Sequence, residues 1–482
     1  MKKIITFLMC AVMALSFTAC GNKDDSSSSV NGLGEWTRMT ENSDDVSVTI
    51  VNAGIGKEWI NNMAQAYEDD TGVKVKVSFA DDSAIISHFA TDRSSVYSDL
   101  YLTYATFNWT KWAATGKLYN LDELCSFDYS DGTDINDNMY EIFDNYGKFN
   151  DSRYILQYTY SPTGFVYNVD YLKQLGYDSF PETWDGLLKL CSDILNSNLK
   201  AGDRKVMPLS FGGSVDDLNN AYITLWAQQN PEAYQAFFNY DSADGAPAAM
   251  YGEERKVAME AIYDLLAPSG NYSTTTIEGA ASDDNVSSET WFLLGYTAFC
   301  PTGAWFESEV ASILKDSDVN YAFAAVPALK KADGSGYYDR VLSINVPTEY
   351  FAIPAKSGNP EGAADFLRYI CHKENLKKVH ELTGMPLAFE YETDGLNLNA
   401  WQKSVTDALE QYKNVYAFGY SNYYAVGALR TGWYKSTNPI LQILNNKLAK
   451  EDIVDKALME EYNVRNESWG EFTSTIGSLG KK

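Results

Sequence analysis

Glu307 and Glu309 follow directly on two aromatic rings, Trp305 and Phe306, and they are the first acidic pair in the chain to test for chemistry. A glycosidase needs two carboxylates facing one bond across a cleft. Residues two apart diverge on a helix and point to opposite faces on a strand, so this pair makes a poor dyad. Hydrolysis would need carboxylates brought together from distant segments. The three histidines, His88, His372 and His380, occur without a His-Glu-x-x-His pair, and there is no Gly-x-Ser-x-Gly, Walker loop or Gly-x-Gly-x-x-Gly. Asp128, Asp131, Asp134 and Asp137 form an acidic loop that could hold calcium. Its spacing is not that of an EF-hand and it lacks the closing bidentate glutamate, which favours a solvated turn. No metal or cofactor is expected. The rings remain, and flat apolar faces with polar tips suit binding rather than bond breaking.

The stretch from Tyr296 to Leu314 presents those rings. Thr297 to Cys300 is β-branched and aromatic, Pro301 and Gly303 interrupt it, and Trp305, Phe306, Val310, Ile313 and Leu314 form an amphipathic run. The pattern predicts strand, tight turn, helix. Ligands in open α/β sheets bind at the carboxyl ends of strands, where this turn would deliver Trp305 and Phe306. On this stretch alone, Trp305 could equally cap the core beneath the turn.

At 482 residues the chain is long enough for two domains. Its formal charge of −27 argues against nucleic acid and anionic lipid as partners. Of the six cysteines, Cys125, Cys191, Cys300 and Cys371 are widely spaced and read as four buried thiols, with a disulfide as the alternative in an oxidising compartment.

Lys2-Lys3 precede an apolar run from Ile4 to Phe17, too short to span a bilayer and of signal-peptide length. The polar segment up to about Asp45 is expected to be a flexible tether. Val46 to Asn52, the helix through Trp59, Met63 and Tyr67, Gly72, and Val73 to Phe79 read as a βαβ unit, which implies parallel strands in an α/β layer fold. The apolar set from Trp184 through Ile194 makes that tryptophan a core residue, and packing is the favoured role for Trp226. Asn359-Pro360-Glu361 opens a helix with a cap, a proline and a first-turn acid.

Several of these segments, in order, resemble family 1 extracellular solute-binding proteins of ABC sugar importers. The matching motifs are Gly116-Lys-Leu-Tyr-Asn-Leu-Asp122, Tyr167-Asn168-Val-Asp170 with Pro181-Glu-Thr-Trp184-Asp185, Pro301 to Trp305, and Asn359-Pro360-Glu361 through Thr383-Gly-Met-Pro386. The run Phe299 to Glu309 is similar to the branch for N-acetylglucosamine and its oligomers. Leu15-Ser-Phe-Thr-Ala-Cys20-Gly21 resembles a bacterial lipobox.

The resemblance covers residues 46 to 395. It implies a two-lobed periplasmic-binding-protein-like (type II) α/β fold with a ligand cleft at the hinge. It also implies a lipoprotein signal peptide 1–19, a tether 20–45 acylated at Cys20, a first lobe 46–157 with about 345–395, a second lobe 158–344, and a shared C-terminal segment 396–482. Trp305 and Phe306 would be the stacking platform, opposite Asn108, Trp109 and Tyr160. Asn52, Asp81, Thr163, Asp339, Arg340, Tyr423 and Trp433 are further ligand candidates. The expected protein is a monomeric, lipid-anchored, extracytoplasmic carbohydrate receptor that serves ABC permease subunits and is not an enzyme. A lipid-anchored glycan-degrading enzyme and a receptor for peptide or another non-sugar solute are the alternatives.

Overall fold

The computed structural model describes residues 36–52, 55–91, 98–104, 109–144, 146–234, 252–270, 284–345, 349–412, 415–417, 438–463 and 466–467. Cys20, Asn108, Tyr423 and Trp433 lie outside these residues, and residues 35–482 form one compact unit. The βαβ unit is present. Strands β1 (Val46–Val51) and β2 (Val75–Ala80) run parallel, from Val46 opposite Val75 to Val51 opposite Ala80. Between them the helix Glu58–Thr71 buries Trp59, Met63 and Tyr67. It stops at Gly72, whose φ of 74° is strained for any side chain and whose N–H donates to Glu68 O at 2.8 Å.

The other strands of the two large sheets are β3 (Leu100–Tyr104), β4 (Leu156–Gln157), β5 (Ser161–Asn168), β6 (Met207–Leu209), β7 (Thr297–Gly303), β8 (Tyr321–Ala325), β9 (Leu342–Asn345), β10 (Glu349–Ala352) and β11 (Val415–Ala417). One sheet runs β2-β1-β3-β10-β4, with β10 antiparallel to both neighbours. The other runs β6-β7-β5-β9-β11, and β8 also pairs with β5. Two sheets with separate helix layers give two α/β lobes; β4 and β5 lie in different sheets, as do β9 and β10.

Each lobe has its own core. In the first, Ile85, Phe89, Trp109 and Trp112 cluster with Tyr101 and Tyr350. In the second, Phe165 and Phe299 meet Trp184, Leu187, Trp226 and Ile262 from three helices. Trp184 and Trp226 are both buried there, and Trp184 Nε1 donates to Ala261 O at 3.2 Å. Ile440 and Ile443 of the helix Pro439–Asn446 join this same core, and Trp401 of the helix Ala400–Gln411 packs on Phe306 and Phe323.

Strand β7 continues through Pro301 to Gly303, two residues beyond the proline that was expected to break it. β6 accompanies β7 only as far as Phe299, so the proline, with no N–H to give, sits where one edge is already open. The helix after it is interrupted at Val310, as Phe306–Glu309 and Ala311–Leu314. The four cysteines are free and buried. In the acidic loop Asp131 pairs with Lys373 at 2.6 Å, and Asp134 and Asp137 form a capping box. Among the described residues no group of acidic, histidine or cysteine side chains could hold a metal ion.

The segment expected to be a tether up to Asp45 is docked from Trp36 onward. Trp36 packs edge-on against Tyr67 and Tyr369, with centroids 5.9 and 5.2 Å away. Asp365, fully buried, accepts from Arg38 Nε at 2.9 Å, Met39 N at 2.7 Å and Tyr67 OH at 2.9 Å. Arg368 donates to Thr37 O at 2.9 Å. Composition hid this because one ring and one arginine hold an otherwise polar strap. Removing Arg38 leaves a buried carboxylate short of its cation. Arg38→Ala is therefore expected to cost about 1–3 kcal/mol in urea unfolding and to open residues 36–45 to protease. Unchanged unfolding and cleavage would show that the strap adds nothing.

Candidate functional site

The parallel strands β1, β2 and β3 end at the edge where the chain crosses to the second lobe, because Glu349 at the start of β10 pairs with Tyr104 at the end of β3. Asn52 and Asp81 close β1 and β2 on this edge, and both are exposed. The crossing itself is stitched around Glu349. Its backbone carbonyl accepts from Tyr158 N at 3.0 Å and Thr159 N at 3.2 Å, and its N–H donates to Thr159 Oγ1 at 3.1 Å. Its carboxyl group meets Thr159 Oγ1 and the Ile55 N–H. Alongside, Tyr160 N donates to Pro386 O at 3.1 Å and Ala388 N to Tyr158 O at 2.9 Å, so the Gly-Met-Pro segment forms a third strand of the junction.

On the second lobe Gly303 pairs with Thr163 at the crossing end of β5, and Ala304 N donates to Ser161 Oγ at 2.9 Å. The half-buried Trp305 folds its indole back over Gly303. A Cβ on that glycine would stand 2.4 Å from the ring, so only glycine lets the ring lie there. Trp305 thus lies just beyond the end of β7, with one part of its surface open.

The other candidates divide. Phe306 is fully buried among Phe292, Tyr321 and Trp401 and is a core ring, because the turn that leaves Trp305 part-open points its neighbour inward. Trp109 is likewise sealed in the first-lobe core, as the opening residue of the helix Trp109–Ala114. Thr163 is fully buried and donates to Ser343 O at 3.1 Å, a strand-pairing role. Asp339 is exposed. Arg340 pairs with Glu182 at 3.2 Å and lies over Tyr412 at 5.1 Å, so its charge is engaged on the second-lobe surface. Tyr160 is half-buried and lines a cavity of about 520 Å³ between Tyr140, Phe143, Pro386 and Tyr391 on one side and Ile344 and Leu409 on the other. Asn108, Tyr423 and Trp433 lie outside the described residues.

Sequence reasoning missed three carboxyl groups. Glu349 carried a signal, an acid inside an apolar strand. Glu289 and Asp217 carried none, since each sits on a helix of mixed composition. Glu307 accepts from Tyr321 OH at 2.7 Å and Asn399 Nδ2 at 2.8 Å, pointing away from Glu309 as a pair two apart should. His380 shares a hydrogen bond with Tyr391 OH at 2.9 Å, and burial lowers its pKa to about 4, which keeps it neutral.

The bacterial extracellular solute-binding protein family matches residues 62–403. No curated protein matches the sequence. Solved structures match in fold. Apo RafE from Streptococcus pneumoniae has a TM-score of 0.62 at 16% identity, over 88% of this chain and 100% of that one. The GacH receptor of Streptomyces glaucescens, solved unliganded and with acarbose, has 0.64 at 15%, over 87% and 98%. A chitin oligosaccharide binding protein has 0.61 at 14%, over 87% and 99%.

Desolvation raises the Glu349 pKa to about 7, so the folded state holds a proton there that the unfolded chain has already released. The stability tied to that proton is full below about pH 4.5 and is lost as pH rises through about 7. Between pH 4.5 and 8, Glu349→Gln should lose roughly 2–4 kcal/mol less stability than the wild type, measured by urea unfolding. Parallel profiles for the two proteins would contradict a protonated hinge carboxyl.

Proposed function

The chain belongs to the bacterial extracellular solute-binding protein family, and from that premise we propose that it captures a carbohydrate between its two lobes and hands it intact to the permease subunits of an ABC importer. The observation that carries this reading is the half-open indole of Trp305, held over Gly303 where the strands cross. A flat apolar face at the mouth of a polar gap is what a pyranose ring recognises. The match in fold to RafE, which has been solved with raffinose, and to GacH, solved with acarbose, supports a sugar as the solute. Closure of the lobes about the Glu349 junction would bring Asn52 and Asp81 towards Trp305. No covalent step is required, and the ligand leaves unaltered.

As a member of this family the protein acts outside the cytoplasm. The finer proposal is that Cys20 carries a lipid that holds a monomeric receptor at the outer face of the cell membrane. Cys20→Ala should move the protein from the membrane fraction to the medium, and retention of the variant with the membrane would refute the anchor.

A thermal-shift screen of mono- and oligosaccharides tests the central reading, since a ligand that binds only the folded state raises the melting temperature. At least one saccharide should shift it. Trp305→Ala should weaken that saccharide by about 1–3 kcal/mol in calorimetry while leaving the fold intact. Unchanged affinity would take Trp305 out of the site, and a screen with no saccharide shift would overturn the carbohydrate reading.

A further inference from the structure

The cavity of about 520 Å³ onto which Tyr160 opens takes its walls from both lobes. Tyr140, Phe143 and Tyr391 line the first-lobe side, and Ile344 of β9 with Leu409 of the helix Ala400–Gln411 line the other. That helix belongs with the second lobe, because Trp401 packs on Phe323 and Ser404 Oγ accepts from Phe323 N at 2.9 Å. Ser161, the first residue of β5, turns its hydroxyl to the N–H of Ala304, beside Trp305. Consecutive side chains of an extended chain point to opposite faces. The Tyr160 ring is therefore turned away from Trp305, and the cavity is separate from the wall that carries the indole.

Its size is that of a small-molecule site, and its chemistry is one-sided. The rings of Tyr140 and Phe143 stand 6.2 and 5.1 Å from that of Tyr160, centroid to centroid, and with Tyr391 they make much of the wall aromatic. Glu141, Glu390 and Glu410 complete it from three separate segments, and among the described residues none of them forms an ion pair. No lysine or arginine lines the cavity, and Lys403, whose charge reaches Glu410, is engaged with Asp407 at 2.7 Å. His380 also lines it, is 2% exposed and stays neutral, its pKa lowered by burial to about 4. Its Nδ1 is taken by Tyr391 OH, while its buried Nε2 meets no partner among the described residues. Such an orphan in a cavity wall is a place for a ligand atom.

Carboxylates accept hydrogen bonds and cannot donate them, and ring faces attract cations. We infer that this cavity binds a small organic ammonium with an apolar body, at a site of its own. The body displaces water from the rings, Ile344 and Leu409, and the charge is held by the ring faces and the glutamates. An anion of the same shape is repelled by all three carboxylates. The assignment does not depend on a sugar being the transported solute.

Three probes that share one body separate charge from shape: 2-phenylethylammonium, 2-phenylethanol and phenylacetate, each titrated by calorimetry into the full chain at pH 7 and low salt. The ammonium should bind at least about tenfold tighter than the alcohol, and phenylacetate should not bind. Added salt should narrow the gap between ammonium and alcohol, because the glutamates are exposed. A chain carrying both Glu390→Gln and Glu410→Gln, two surface changes that keep shape, should bring the ammonium down towards the alcohol. Trp305→Ala should leave ammonium binding unaltered. No binding of the ammonium, equal binding of ammonium and alcohol, or an undiminished preference in the double variant would refute the site. Loss of ammonium binding in Trp305→Ala would place the probe against the indole and refute a separate cavity. None of these outcomes touches the saccharide screen, so the carbohydrate reading stands or falls by itself.

Discussion

The molecule depends on a short hydrogen-bonded junction in which a buried acid joins three passing segments. Glu349 takes two backbone donors on its carbonyl, gives its own N–H to Thr159, and turns its carboxyl toward Thr159 and Ile55. Among the described residues this polar knot ties the passage from β4 to β5 to the start of β10. A seam of packed side chains has few alternative arrangements, whereas a narrow ribbon of strand can twist with its hydrogen bonds kept. A closed but bendable crossing is what a two-lobed receptor requires.

Much of the fold could be read from residue pattern because its signals were local. Alternation and a glycine stop marked the βαβ unit, the Asn-Pro-Glu start marked the helix Pro360–Ile370, and the apolar stripe from Trp184 marked a buried face. The site was harder, because whether a ring is open or sealed is decided by what lies across from it. Trp305 and Phe306 are neighbours of equal hydrophobic character, yet one sits over Gly303 at the gap and the other lies among Phe292, Tyr321 and Trp401. Trp109 went the same way, into a cluster with Phe89 and Trp112 that no local pattern announces. Carboxyl groups that folding buries, such as Glu289 and Asp217, are invisible until the chain folds.

The strap at residues 36–45 shows the limit of composition in another way. Polar and acidic residues there suggested a free coil, but Asp365, Arg38 and Trp36 supply enough directed contacts to fasten it. Among the described residues its contacts run to the first lobe, through the helix Pro360–Ile370 and Tyr67. Any force or positional restraint arriving from the N-terminus therefore reaches the first lobe before the second.

The indole of Trp305 lies on a bare glycine backbone, and that has a thermodynamic consequence for recognition. A ring that swings freely in the empty receptor must be frozen when a partner arrives, and each immobilised side chain of that kind forfeits about 0.5–1.5 kcal/mol of rotational freedom. Here the seat left by Gly303 lets the indole pack against bare backbone, which narrows the rotamers open to the ring. Capture can then proceed with little loss of side-chain entropy on this wall, and the ordering that remains falls to the movement of whole lobes.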